Sequence, residues 1–187
     1  MERLKKFTIA GILFVLATGT LAHFLYGWTG NNAIAGLFVP VNESIWEHMK
    51  LLFFPMVLYS LLILPIFQEE YPCIASSLSF GILVGTILIP VLFYVYNYIL
   101  GKDIFILDIG IFIVNTVIAF YLAYKFTLSC KLKPYSSLLF ALAMIFFLCF
   151  ILFTYQPPNL KIFAAPEKVA GSIESIHIIK GVTSVLK

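Results

Sequence analysis

Residues 73–99 read C-I-A-S-S-L-S-F-G-I-L-V-G-T-I-L-I-P-V-L-F-Y-V-Y-N-Y-I, a run without one charged side chain. About 20 such residues suffice to cross about 30 Å of hydrocarbon as a helix, whereas a strand in a soluble core is much shorter. Ser77, Gly81 and Gly85 recur at intervals of four, a stripe of small residues on which a second helix can pack closely. The stretch therefore predicts a membrane-spanning helix with a tightly packed neighbour, bent before Tyr94 by Pro90.

The rest of the chain repeats the pattern. Of 187 residues, 61% are hydrophobic and 11% charged, and the mean hydropathy is +1.02, outside the range of soluble domains. Apolar stretches near 7–28, 44–67, 73–99, 105–126 and 135–155 predict an all-α, polytopic membrane bundle of about five transmembrane helices in one domain over residues 1–158. Pro55 and Pro65 are expected to kink the second span. Residues 29–43 form the longest connection and carry no charge before Glu43, so this loop is expected to fold back on the membrane surface or dip between helices. The tail, 159–187, is more polar, and Ile173, Ile176, Ile179, Val182 and Leu186 are spaced for a C-terminal surface helix.

A net charge of +3 is too small to recruit nucleic acid. The expected partner is the lipid bilayer; the sequence names no protein partner and leaves self-association as a homo-oligomer open. Arg3, Lys5, Lys6, Lys125, Lys131 and Lys133 flank one side of the spans, against Lys102, Lys161 and Lys168 on the other. That asymmetry predicts a multi-pass cell-membrane protein with a cytoplasmic N-terminus and an extracytoplasmic C-terminus. The first apolar run continues through Phe24, Leu25 and Trp28, longer than a secretory signal core, so cleavage near Thr20–Ala22 is not expected. Cys73, Cys130 and Cys149 lie far apart in sequence, in or beside apolar segments, and read as small buried apolar residues rather than a disulfide or metal framework. Trp28, Trp46, Tyr94, Tyr98 and Tyr155 read as an interfacial aromatic belt.

An odd number of spans brings the ends of spans one, three and five to the same face as the starts of spans two and four. On that face collect His23, Asn42, Glu43, Glu47, His48, Asn97, Asp103, Asp108, Thr154, Tyr155 and Gln156; the opposite face has Glu69, Glu70 and the basic clusters. Part of this is helix-start chemistry. Ser44-Ile45-Trp46-Glu47 fits a capping box, Glu43 suits the positive end of the helix dipole, and Lys50 can pair with Glu47. His48 is left over. Because ionisable groups in a membrane are costly unless paired or hydrated, the cluster reads as a site. Its expected ligand-binding residues are His23, Asn42, Glu43, Glu47, His48, Asp108 and Tyr155. No cofactor is required by any motif, but His23, His48 and Asp108 form an acceptable ligand set for a divalent metal such as zinc. Glu43 or Glu47 would then be the candidate catalytic base. H-E-x-x-H and C-x-x-C spacings are both lacking.

His23-Phe24-Leu25-Tyr26-Gly27-Trp28-Thr29-Gly30, Pro40-Val41-Asn42-Glu43-Ser44-Ile45-Trp46-Glu47-His48-Met49-Lys50-Leu51 and Thr154-Tyr155-Gln156-Pro157-Pro158 together resemble a family of small multi-spanning membrane proteins from clostridia-like Gram-positive bacteria. That family is known as a domain of unknown function, and Asn-Glu-Ser-x-Trp-Glu-His-x-Lys-Leu is its mark. The resemblance implies a bundle that gathers these three segments, with an acidic residue opening the fourth span, a place that Asp108 fills. It ends after Phe163, where members carry Asp-Pro and a Tyr-Gly element and this chain reads Ala164-Ala165-Pro166-Glu167.

Three functions follow as expectations. The favoured one is binding or passage of a small solute, ion or proton. The alternatives are a membrane-embedded metal-dependent hydrolase acting on a lipid or headgroup, and a structural or partner-binding protein. The lack of a recognisable nucleophile or strong metal spacing favours the first, and enzymatic activity is left open.

Overall fold

The computed structural model describes residues 1–165; the surface helix expected at 172–186, with His177, lies outside the described residues. Six α-helices follow in order: α1 Glu2–Trp28, α2 Ala33–Phe38, α3 Ile45–Phe67, α4 Ile74–Leu100, α5 Phe105–Ser129 and α6 Ser136–Phe153, with short 3-10 turns at Lys133–Tyr135 and Lys161–Phe163. Five of these helical segments (the last one counted from Lys133) are long and apolar enough to cross a membrane. They match the expected spans to within a few residues, except at the N-terminus, where α1 begins at Glu2 instead of near residue 7.

The connection between the first two spans does fold back. Its centre is α2, whose first turn is satisfied by Asn32: Oδ1 accepts from the backbone N–H of Ile34 and Ala35, at 2.9 and 3.2 Å. Phe38, at the other end of α2, packs edge-on against Phe54 of α3 and within 6.4 Å of Phe147 of α6. Each of these contacts anchors the loop above the site to a spanning helix.

Small residues set the closest approaches, as the stripe on α4 foretold. A Cβ added at Gly81 would lie 2.5 Å from the Ala119 carbonyl oxygen, and one at Gly85 would lie 2.7 Å from the Ala119 Cβ, so α4 and α5 touch nearly backbone to backbone. Gly19 of α1 is as tight, with its Cβ position 2.5 Å from the Leu51 carbonyl oxygen of α3. Pro55, Pro65 and Pro90 are all accommodated inside continuous helices.

Two readings of the sequence are corrected. Cys73 and Cys130 form a disulfide with a Cα–Cα separation of 5.3 Å. They are 57 residues apart, but α4 and α5 are antiparallel, so the residue before α4 and the residue after α5 meet at one end of the pair. Cys149 is free and half-buried, as expected of an apolar side chain. Trp46 does not belong to an interfacial belt. It is 9% exposed and its ring packs at 4.8 Å on both Phe150 and Phe163, because the chain leaving α6 returns over the start of α3. On the opposite face Arg3 pairs with Glu70 at 3.0 Å and lies over the Phe67 ring.

Candidate functional site

His23 sits near the end of α1 and His48 in the first turn of α3. Gly19, one turn below His23, allows the two helices to approach closely enough for the imidazoles to meet edge to face with centroids 5.3 Å apart. The segment before α3 supplies the carboxylate. Asn42 Oδ1 accepts from the Ser44 N–H at 2.8 Å, a local Asx turn; between them stands Glu43. Its Oε2 lies 3.4 Å from Nε2 of His48 and 3.6 Å from Nε2 of His23. One ligand atom from each of the three residues falls within 4.8 Å of the other two.

The hydrogen-bond roles at His48 are fixed by its other nitrogen. Nδ1 is 2.9 Å from the Ser44 carbonyl oxygen, an acceptor only, so Nδ1 carries the proton and donates. In the neutral ring Nε2 is then a bare acceptor facing a carboxylate oxygen, another acceptor. A proton or a metal cation between its members stabilises such a pair. Four ligands at about 2.0–2.2 Å from a tetrahedral zinc are about 3.3–3.6 Å from one another, which is the range of the two imidazole–carboxylate distances. Two imidazoles and a carboxylate are also a donor set that suits zinc and its neighbours among the transition metals, and the Nδ1–carbonyl bond is the outer-shell contact that orients such a ligand. Glu43 is 55% exposed, so the group opens outward and leaves room for a further ligand.

The remaining expected site residues are placed differently. Glu47 and Lys50 are 2% and 0% exposed and form an ion pair at 2.7 Å. Glu47 Oε2 also accepts from the Val41 N–H at 3.0 Å. Lys50 Nζ donates in addition to the Gly36 carbonyl of α2 at 3.0 Å and to Thr154 Oγ1 beyond α6 at 2.7 Å. All three ammonium protons thus have acceptors, and this knot ties α2, the Val41 strand of loop, α3 and the end of α6 together. The capping box is half made: Ser44 Oγ accepts from the Glu47 N–H at 3.3 Å, but the Glu47 carboxylate reaches Val41 and Lys50 rather than the Ser44 N–H.

Asp108, in the first turn of α5, is held by the Tyr96 hydroxyl at 2.5 Å. It is not one of the three converging ligands. Tyr96 went unnoticed in the sequence; its signal was a hydroxyl one short loop before an acidic helix start. Asn97 pairs with Asp103 beside it at 2.5 Å. Tyr155 donates to the Ala33 carbonyl at 2.8 Å, a tie between α2 and the chain after α6. Burial raises the pKa of its phenol, with the nearby Tyr26 adding to the effect, so it remains a donor.

No curated protein and no solved structure matches this chain. A family profile does, over residues 1–173: the chain belongs to DUF6512, a family of unknown function.

Proposed function

We propose that this membrane protein binds a divalent transition-metal cation, zinc in character, through His23, Glu43 and His48. The observation that carries the reading is the meeting of two acceptors, His48 Nε2 and Glu43 Oε2, at 3.4 Å with the other imidazole nitrogen already committed to Ser44. Asn42 and Tyr155 shape the loops around the site, and Asp108, bonded to Tyr96, lies outside the three converging side chains.

Binding is favoured over hydrolysis by the state of Glu47. A general base needs a free carboxylate within reach of water, and this one is buried against Lys50 and the Val41 amide. The lysine asymmetry supports placing the site on the extracytoplasmic face and the N-terminus in the cytoplasm. Titration with cobalt(II), whose visible absorption reports nitrogen and oxygen ligation in tetrahedral geometry, tests the reading in purified protein. A saturable band at one cobalt per chain, displaced by zinc and missing from His48→Ala, is expected. A flat spectrum would overturn it.

A further inference from the structure

Most hydroxyls on the spanning helices bond back to the carbonyl one turn earlier, among them Thr18, Ser60, Ser77, Thr116 and Thr127. Thr86 is different. Its side chain is fully buried in α4, yet among the described residues Oγ1 has no partner. Asn115 of α5 is equally buried, and neither Oδ1 nor Nδ2 is paired among the described residues. A third polar group lies with Thr86: Pro90 has no N–H, so the Thr86 carbonyl lacks its helical donor.

These groups lie within about one helical turn of each other in depth. Gly85 meets Ala119, and Tyr96 bonds Asp108, contacts that are eleven residues apart on each helix. In that antiparallel register Asn115 is level with Ile89, three residues from Thr86, or about 4.5 Å along the axis. Asn115 is also seven residues from Asp108 on α5, nearly two turns, which puts both on the same face about 10 Å apart. A buried amide left unpaired loses its hydration with nothing in return, so the seam is incomplete as a dry interface.

The chemistry of the missing guest follows from the amide. Oδ1 needs a donor and Nδ2 needs an acceptor, so the guest both donates and accepts. A bare cation satisfies Oδ1 and is repelled by the Nδ2 protons; an anion satisfies Nδ2 alone. Water meets both. We infer that the α4–α5 seam holds buried water at Asn115 and Thr86. This water site stands whether or not a metal binds above it.

Water-edited solid-state NMR on the full-length protein in lipid bilayers reads this directly, without any substitution. Magnetisation from water is expected to reach the Asn115 side-chain amide several-fold faster than the backbone amides of lipid-facing Val114 and Val117, and to do so equally in sodium and potassium salts. Transfer as slow as at Val114 would overturn the inference, as would a rate that depends on the cation. Asn115→Leu supplies the control: with its partner gone, transfer to the Thr86 amide is expected to fall to the Val114 level, and unchanged transfer there would contradict a shared water.

Discussion

His48 turns one ring nitrogen to the carbonyl of Ser44, at 2.9 Å, and the other to Glu43, at 3.4 Å. The helix start that holds His48 in place thus also decides which of its nitrogens is free. Capping and the proposed ligation are two uses of one local geometry, and Glu43 rather than Glu47 is the carboxylate that faces the imidazoles.

That assignment separates two carboxylates by experiment. Glu43→Gln is expected to weaken zinc binding by more than about 100-fold, because even changes to the partners of metal ligands cost about 10–100-fold. Asp108→Asn, which keeps a side chain for Tyr96 to bond, is expected to change affinity by less than about 10-fold. Competition titration against a chromophoric chelator measures both. Equal losses would place Asp108 among the ligands.

The Glu47–Lys50 knot is structural and buried. Lys50→Met strands the carboxylate and is expected to destabilise the folded protein by about 3–5 kcal/mol, whereas the double change with Glu47→Leu recovers most of that loss. Thermal unfolding in detergent gives the comparison. A double variant as unstable as the single one would mean that the ion pair is needed for more than neutralisation.

Close helix approach sets the site. Gly19 carries no ligand, but a side chain there meets the Leu51 backbone and Phe112, so α1 must move away from α3 and take His23 with it. Gly19→Val is expected to cost about 1–3 kcal/mol in stability and to lower zinc affinity, while Gly27→Val, in open space, leaves affinity intact. Matched affinity in the two variants would detach the site from this packing.

The proposed orientation places the Cys73–Cys130 disulfide on the cytoplasmic side, where thiols are kept reduced, so the bonded pair of the structure would be the oxidised form of a dithiol. In a Cys149→Ala background, acid-quenched cells are therefore expected to yield both cysteines as alkylatable thiols, with the bond closing after treatment with a disulfide-forming oxidant. A bond already complete in untreated cells would put that face in an oxidising compartment and reverse the orientation.

Length and hydropathy made the spans legible: each helix from α3 to α6 begins and ends within a few residues of where its apolar run begins and ends. That His23, Glu43 and His48 share one face was legible too, because five crossings leave those residues no other; that Glu43 rather than Asp108 meets the two imidazoles was not, since it depends on the turn before α3. Hidden from the sequence were the choices that depend on side-chain direction and long-range contact. Lys50 could be paired with Glu47 from their spacing, but its bonds to Gly36 and to Thr154, 104 residues away, needed the fold. So did the burial of Trp46 under Phe163, and the meeting of Cys73 with Cys130. Apolar periodicity tells which residues face lipid and says little about which polar groups find one another inside.

Metal content measured by elemental analysis on protein purified without chelators and without a histidine tag tests the central assignment most directly. Close to one zinc-like ion per chain is expected, lost in His23→Ala and His48→Ala while both variants remain folded. Metal-free wild-type protein that also fails to load when zinc is supplied, or metal retained by both variants, would contradict it.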